Sequence, residues 1–217
     1  MRNRQHVCIV RLPLARRKHP SPHPNALTST TMTEPNSQAQ PPPGFVIKDY
    51  STFPPKNRLS IADKVAKLER KVFPAIEHFN YDVELKKKNT GLLLIFKADD
   101  ADKLIGYIVY QRMKRLAWLH KLCVVEQERG RGLGRALIHC FRHQMEKGGC
   151  STVFLWVDES RAPARALYTS CGFQQAECRP DYYGPGRTAL KLELSLDDWT
   201  RPRNLEVESK RPSAFQF

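Results

Sequence analysis

The sequence predicts an α/β (α+β) fold, a mixed and mostly antiparallel central sheet flanked by helices, and three observations carry that expectation. Two apolar runs, residues 91–96 and 104–110, are split by a polar stretch too short for a helix, so they read as an antiparallel hairpin with residues 116–125 as the next strand. Beyond the hairpin the pattern becomes helix, strand, helix. Leu133, Leu137, Cys140, Phe141 and Met145 recur at helical spacing and residues 153–157 form another apolar run, with a further helix expected after it. Finally, residues 189–194 alternate apolar and polar side chains, as a strand with one buried face does.

Taken in order, the chain opens with a segment that builds no core. Residues 1–33 contain Arg2, Arg4, Arg11, Arg16, Arg17 and Lys18 and no acid, the first carboxylate being Glu34. Residues 1–44 are expected to be a disordered basic tail rich in Pro, Ser and Thr, residues 45–196 the folded domain, and residues 197–217 a second tail. An Arg-rich, acid-free, hydroxyl-rich start is what a mitochondrial transit peptide looks like, whereas Pro13, Pro20, Pro22 and Pro24 break the amphipathic helix such a peptide needs. Met32 offers a second start. The expected location is cytoplasmic or nuclear, with mitochondrial import left open. No apolar run is long enough for a membrane span.

Residues 45–48 read as an edge strand. Ser60 is the expected N-cap of the first helix, with Ile61, Val65, Leu68 and Val72 on its inner face and Pro74 as its stop. Residues 79–85 suggest a short helix, followed by Lys86, Lys87 and Lys88 at its negative end. Residues 173–178 complete the set as a strand before 189–194.

The chemistry concentrates where residues 116–125 hand over to the helix beginning near Leu133. The first amides of a helix have no carbonyl partner within it and carry partial positive charge, so an anion is the natural guest. Gly130, Gly132 and Gly134 let a bulky phosphate approach the main chain, and Arg129, Arg131 and Arg135 add formal charge. The spacing lacks the Gly-Lys-Ser/Thr of a P-loop. It also misses the third glycine of a dinucleotide fingerprint, which falls at Arg135.

Arg129, Gly132 and Gly134 after a hydrophobic strand resemble the coenzyme loop of the GNAT superfamily of acyl-CoA N-acyltransferases. The second signature of that family is similar to Ala164, Leu167, Tyr168, Gly172 and Phe173, and the likeness extends over roughly residues 45–196. Tyr182 and Tyr183, followed by glycines and a final strand, resemble the branch that acetylates N-terminal peptides and ribosomal-protein alanine. The resemblance implies a GNAT-like sheet and acetyl-CoA as co-substrate, its pyrophosphate held by Arg129, Gly130, Arg131, Gly132, Leu133, Gly134 and Arg135. It implies a pantetheine arm along the main chain of Cys123, Val124 and Val125, and a coenzyme contact at Arg161, where many relatives carry Asn.

For catalysis it implies direct attack by a primary amine, from a protein N-terminus or lysine, with Tyr168 as general acid. In the ribosomal branch a Glu implicated as base stands where this chain has Trp156, and Thr188 replaces a usual Asp. The base is therefore open among His120, Asp158, Glu159 and a bound water. His120 is placed by strand alternation on the same face as Leu122 and Val124 and titrates in the useful range. Glu69, Glu77, Tyr81, Glu84, Tyr182 and Tyr183 are candidates for acceptor contact.

The net charge of +14 would also suit a nucleic-acid binder, but much of it lies in the tail and no basic stripe is interleaved with aromatics. An acyl-CoA-binding pseudoenzyme is the alternative that Trp156 motivates. Six cysteines form no C-x-x-C pair, so no metal is expected and buried reduced thiols are the reading; oligomeric state is not legible.

Overall fold

The computed structural model describes residues 40–197, so the expectations for 1–39 and 198–217 lie outside the described residues. The strands are β1 Phe45–Asp49, β2 Thr90–Lys97, β3 Leu104–Met113, β4 Leu116–Val124, β5 Thr152–Asp158, β6 Gln174–Arg179 and β7 Ala189–Ser195; the helices are α1 Pro55–Val72, α2 Tyr81–Glu84, α3 Leu133–Lys147 and α4 Ala162–Ser170. All seven strands join one sheet in the order β1-β2-β3-β4-β5-β7-β6. Every pairing is antiparallel except β4 with β5.

Strand alternation sorts the core into two layers. On one face, Leu93, Ile95, Ile108, Leu119, Leu122 and Val124 meet α3 through Leu133, Leu137, Phe141 and Met145, and α4 through Ala164 and Tyr168. On the other, Leu92, Leu94, Phe96, Tyr107 and Val109 meet Ile61, Ala62 and Val65 of α1 with Phe73, Phe79 and Tyr81. Each fully buried large apolar side chain contributes about 1.5–3 kcal/mol, so α3 is held chiefly by its inner stripe.

The first helix begins earlier than Ser60. Pro55 occupies its first turn, where a missing N–H costs nothing and φ is already helical. Pro55, Lys56 and Asn57 are all exposed, so no apolar period marks that turn. Its end is as expected: Phe73, ahead of Pro74, is extended.

Two irregularities shape the middle of the sheet. The β3–β4 register pairs Val109 with Lys121 but Tyr110 with Leu119, so His120 is the extra residue of a β-bulge. The parallel β4–β5 contact covers only Leu116–Thr152, Ala117–Val153 and Trp118–Phe154. Beyond Trp118 the two central strands part.

Candidate active site

The parting of β4 and β5 leaves one main-chain edge of β4 open. The Val125 N–H donates to Ile105 O on β3 at 2.8 Å, so by strand alternation the Val124 amide points toward the gap. The Val124 carbonyl accepts from Arg129 Nε at 2.9 Å, which draws the glycine loop against this edge.

Gly130 and Gly132 have φ of 76° and 78°, the left-handed region that other residues enter only with strain. Gly132 caps α3 without any side-chain hydrogen bond, so the first amides of that helix remain available to an anion. A cavity of about 370 Å³ opens here, walled by Leu122, Val124, Arg129, Gly130, Gly132, Leu133, Gly134 and Arg135, with Glu128 and Leu167 completing it. Gly134 serves packing as well: a Cβ there would stand 3.1 Å from Leu167 Cδ2 of α4.

Arg131, Cys123, Val125 and Arg161 are not on the cavity wall. Arg131 pairs with Glu128 at 2.5 Å and lies over the Phe45 ring at 5.1 Å, so its charge is engaged outside the cavity wall. The Cys123 side chain points into the α1-side core, where burial pushes its thiol up to about 12, so only its main chain lies along this edge. Val125 is not on the wall either; its amide is taken by Ile105. Arg161 precedes α4 on the opposite side of the gap, where Glu77, Asp158, Arg187 and Tyr183 surround it.

That second cluster gathers charge from four segments. Arg187 donates to Asp158 Oδ2 at 2.6 Å and reaches Glu77 Oε1 at 3.8 Å. Burial works to raise the Asp158 carboxyl, but hydrogen bonds from Ser160 and the Arg187 guanidinium outweigh it and hold the acid below its usual range. Burial raises the Glu77 carboxyl despite Arg161, Arg187 and Lys121 nearby. Desolvation also lowers the affinity of Arg161 for its proton. Tyr183 packs against the Arg187 guanidinium at 5.3 Å and edge-on against Tyr182. Tyr182 stacks on Trp156 at 5.1 Å with the rings 14° from parallel.

Tyr168 is fully buried in the α3–α4 core and meets Phe173 edge-on. Tyr81, expected at the acceptor, is instead a core residue, with Tyr107 beside it. His120 is corrected too: the bulge breaks the alternation that would align it with Leu122 and Val124, and its ring lies 6.1 Å from Phe79 on the α1 side.

Sequence reasoning missed Lys121. It is 0% exposed, and its ammonium donates to the Glu69 carboxylate and to the main-chain carbonyl of Glu77. A lysine inside an otherwise apolar strand was the available signal. Leu122, Glu128, Leu167 and Arg187 were also missed; Leu167 adjoins Tyr168 in the second signature. Among the described residues no three His, Cys, Asp or Glu side chains group as metal ligands, and no helix is long and apolar enough to cross a membrane.

An anion-seating loop, an open strand edge and a charged cleft across the sheet define an enzyme that joins a phosphorylated cofactor to a second substrate. The chain belongs to the acetyltransferase (GNAT) family, whose model matches residues 62–173, and is an acyl-CoA-dependent N-acetyltransferase. It is 32% identical over 127 residues to the [ribosomal protein bS18]-alanine N-acetyltransferase of Escherichia coli strain K12, covering 55% of this chain and 86% of the relative. An N-alpha-acetyltransferase of Sulfurisphaera tokodaii is 28% identical over 152 residues, covering 64% and 90%. In fold, the crystal structure of the E. coli ribosomal-protein-S18-alanine N-acetyltransferase matches with a TM-score of 0.58 at 22% identity, over 74% of this chain and 98% of that one. Arabidopsis thaliana NAA60 in complex with acetyl-CoA matches with a TM-score of 0.58 at 17% identity, over 70% and 99%.

Proposed function

We propose that this N-acetyltransferase acts on the α-amine of a protein or peptide N-terminus. The observation that carries the reading is the open edge of β4, with the glycine loop on one side of the sheet and the Glu77–Arg161–Arg187–Asp158 cleft on the other. The relatives named for terminal alanine and N-alpha acetylation support the choice of acceptor.

Acetyl-CoA seats its pyrophosphate on the amides at the start of α3, with Arg129 and Arg135 beside it. Its pantetheine arm lies along residues 122–124 as a substitute strand, which brings the thioester into the gap. The Val124 N–H then polarises the carbonyl oxygen as negative charge develops. Held there, the thioester meets the amine as a positioned reactant rather than by random collision. The C–N bond forms, the C–S bond breaks, and Tyr168 gives the departing thiolate a proton. Tyr182 and Tyr183 form the acceptor-side wall.

The test is release of coenzyme A thiol from acetyl-CoA by the purified full chain, measured with N-terminal peptides, N-blocked lysine peptides and polyamines, with products identified by mass spectrometry. Turnover with N-terminal peptides, and modification at their first nitrogen, is the expected result. Preference for the blocked lysine peptides or polyamines would overturn the assignment of acceptor.

A further inference from the structure

We propose that Glu77 is the catalytic base, taking the proton of the acceptor ammonium in the cleft between β4 and β5; this rests on the N-acetyltransferase reading. Trp156, in the middle of β5, brings no ionisable group to the cleft. Its indole stacks on Tyr182, and the Arg179 guanidinium stands 4.8 Å from the ring centre. A carboxylate reaches the cleft from another element. The turn Ala75–Glu77 follows Pro74, and the Glu77 main-chain carbonyl is fastened to β4 by the buried Lys121 ammonium. The backbone that carries the acid is thus fixed to the strand that carries the thioester site.

The side chain of Glu77 is 10% exposed. Its Oε1 is 3.8 Å from Arg187, but its Oε2 is buried and accepts no hydrogen bond among the described residues. A buried carboxylate oxygen without a donor is costly, and an incoming ammonium is the donor that would relieve the cost. The cleft also holds Arg161 Nη1, buried and without an acceptor among the described residues. One free acceptor and one free donor suit the ammonium and the adjacent carbonyl of a peptide's first residue. Polyamines lack that carbonyl.

The charged groups acting on Glu77 come from every surrounding element: Lys121 on β4, Asp158 on β5, Arg161 before α4 and Arg187 before β7. His78, next in the chain, is turned away to the Phe73 carbonyl at 2.9 Å. Burial outweighs the three cations and raises the carboxyl above its ordinary range, which brings its proton affinity closer to that of the amine it must serve.

The step balances as follows. The ammonium gives one proton to Glu77, and the neutral nitrogen attacks the thioester carbon. As the C–S bond breaks, the thiolate takes the Tyr168 proton, and the second proton shed by nitrogen restores the phenol. Glu77 releases its proton to water.

The experiment follows kcat/KM against pH with an N-terminal peptide, for the full chain and for E77Q, H120Q and R161Q. The wild type should lose activity as pH falls through the titration of Glu77. E77Q, which keeps the main-chain contact with Lys121, should lose about 10²-fold in kcat, lose this acid limb, and bind acetyl-CoA within twofold of wild type by calorimetry. H120Q should keep the limb. R161Q removes a cation beside Glu77 and should move the limb to higher pH, a test that holds even if E77Q folds poorly. An E77Q enzyme with wild-type turnover, or a limb lost in H120Q or unmoved in R161Q, would overturn the base while leaving the acetyltransferase intact. A wild type that binds acetyl-CoA but acetylates no amine would overturn both.

Discussion

Replacing Lys121 by Met removes a cation from the driest part of the domain while keeping most of its aliphatic stem. In the folded chain the ammonium serves Glu69 and the Glu77 carbonyl and stands 4.5 Å from the centre of the Phe73 ring. Without it Glu69, 1% exposed, keeps a hydrogen bond from the Phe79 N–H at 2.9 Å but has no countercharge in contact among the described residues. Breaking a buried pair from one side costs about 3–5 kcal/mol, against a total of about 5–15 kcal/mol for a domain. K121M should therefore approach the limit of folding. Adding Glu69→Gln removes the stranded charge and leaves an amide oxygen for Phe79, so the double variant should recover roughly 1.5–2.5 kcal/mol. Urea unfolding followed by tryptophan fluorescence reads these differences. A K121M loss below about 1 kcal/mol, or further destabilisation by E69Q in the K121M background, would show that the pair is not balanced as described.

Other outcomes follow from the two sides of the gap. Gly132→Ala should cost about 1 kcal/mol from its left-handed backbone and weaken acetyl-CoA binding about tenfold, both measurable by calorimetry; unchanged affinity would count against the loop as the anion seat. Tyr168→Phe should lower turnover far more than acetyl-CoA affinity, and equal loss of both would indicate a packing role. Asp158 has a depressed folded pKa, so its stabilisation is present above the unfolded value near 3.9 and lost as pH falls through the folded one. The stability gap between wild type and D158N should accordingly be widest near neutrality and shrink below about pH 4 in urea titrations; a gap independent of pH would contradict this.

Periodicity exposed most of the fold because each layer of the core rests on regular alternation. Residues 91–96 and 104–110 are buried on both faces and bounded by polar turns, and the stripe at Leu133, Leu137, Phe141 and Met145 faces one way. The start of α1 was hidden because Lys56 and Asn57 bury nothing. The glycine loop between β4 and α3 was legible since its glycines and arginines are neighbours in sequence. Arg131 and Arg161 show what that leaves out: sequence displays charge but not the carboxylates that engage it, Glu128 for one and the Glu77 cluster for the other. His120 and Lys121 show the further limit. A bulge of one residue exchanges faces, and its register is set by β3, which no window around residue 120 contains.

The parting of β4 from β5 has a consequence for how the reagents meet. Elsewhere the hydrogen-bonded ladder is a wall, and molecules resting on opposite layers stay out of reach of one another. At this slit a slender thioester arm inserted from one flank can project its acyl carbon toward a nitrogen waiting on the other.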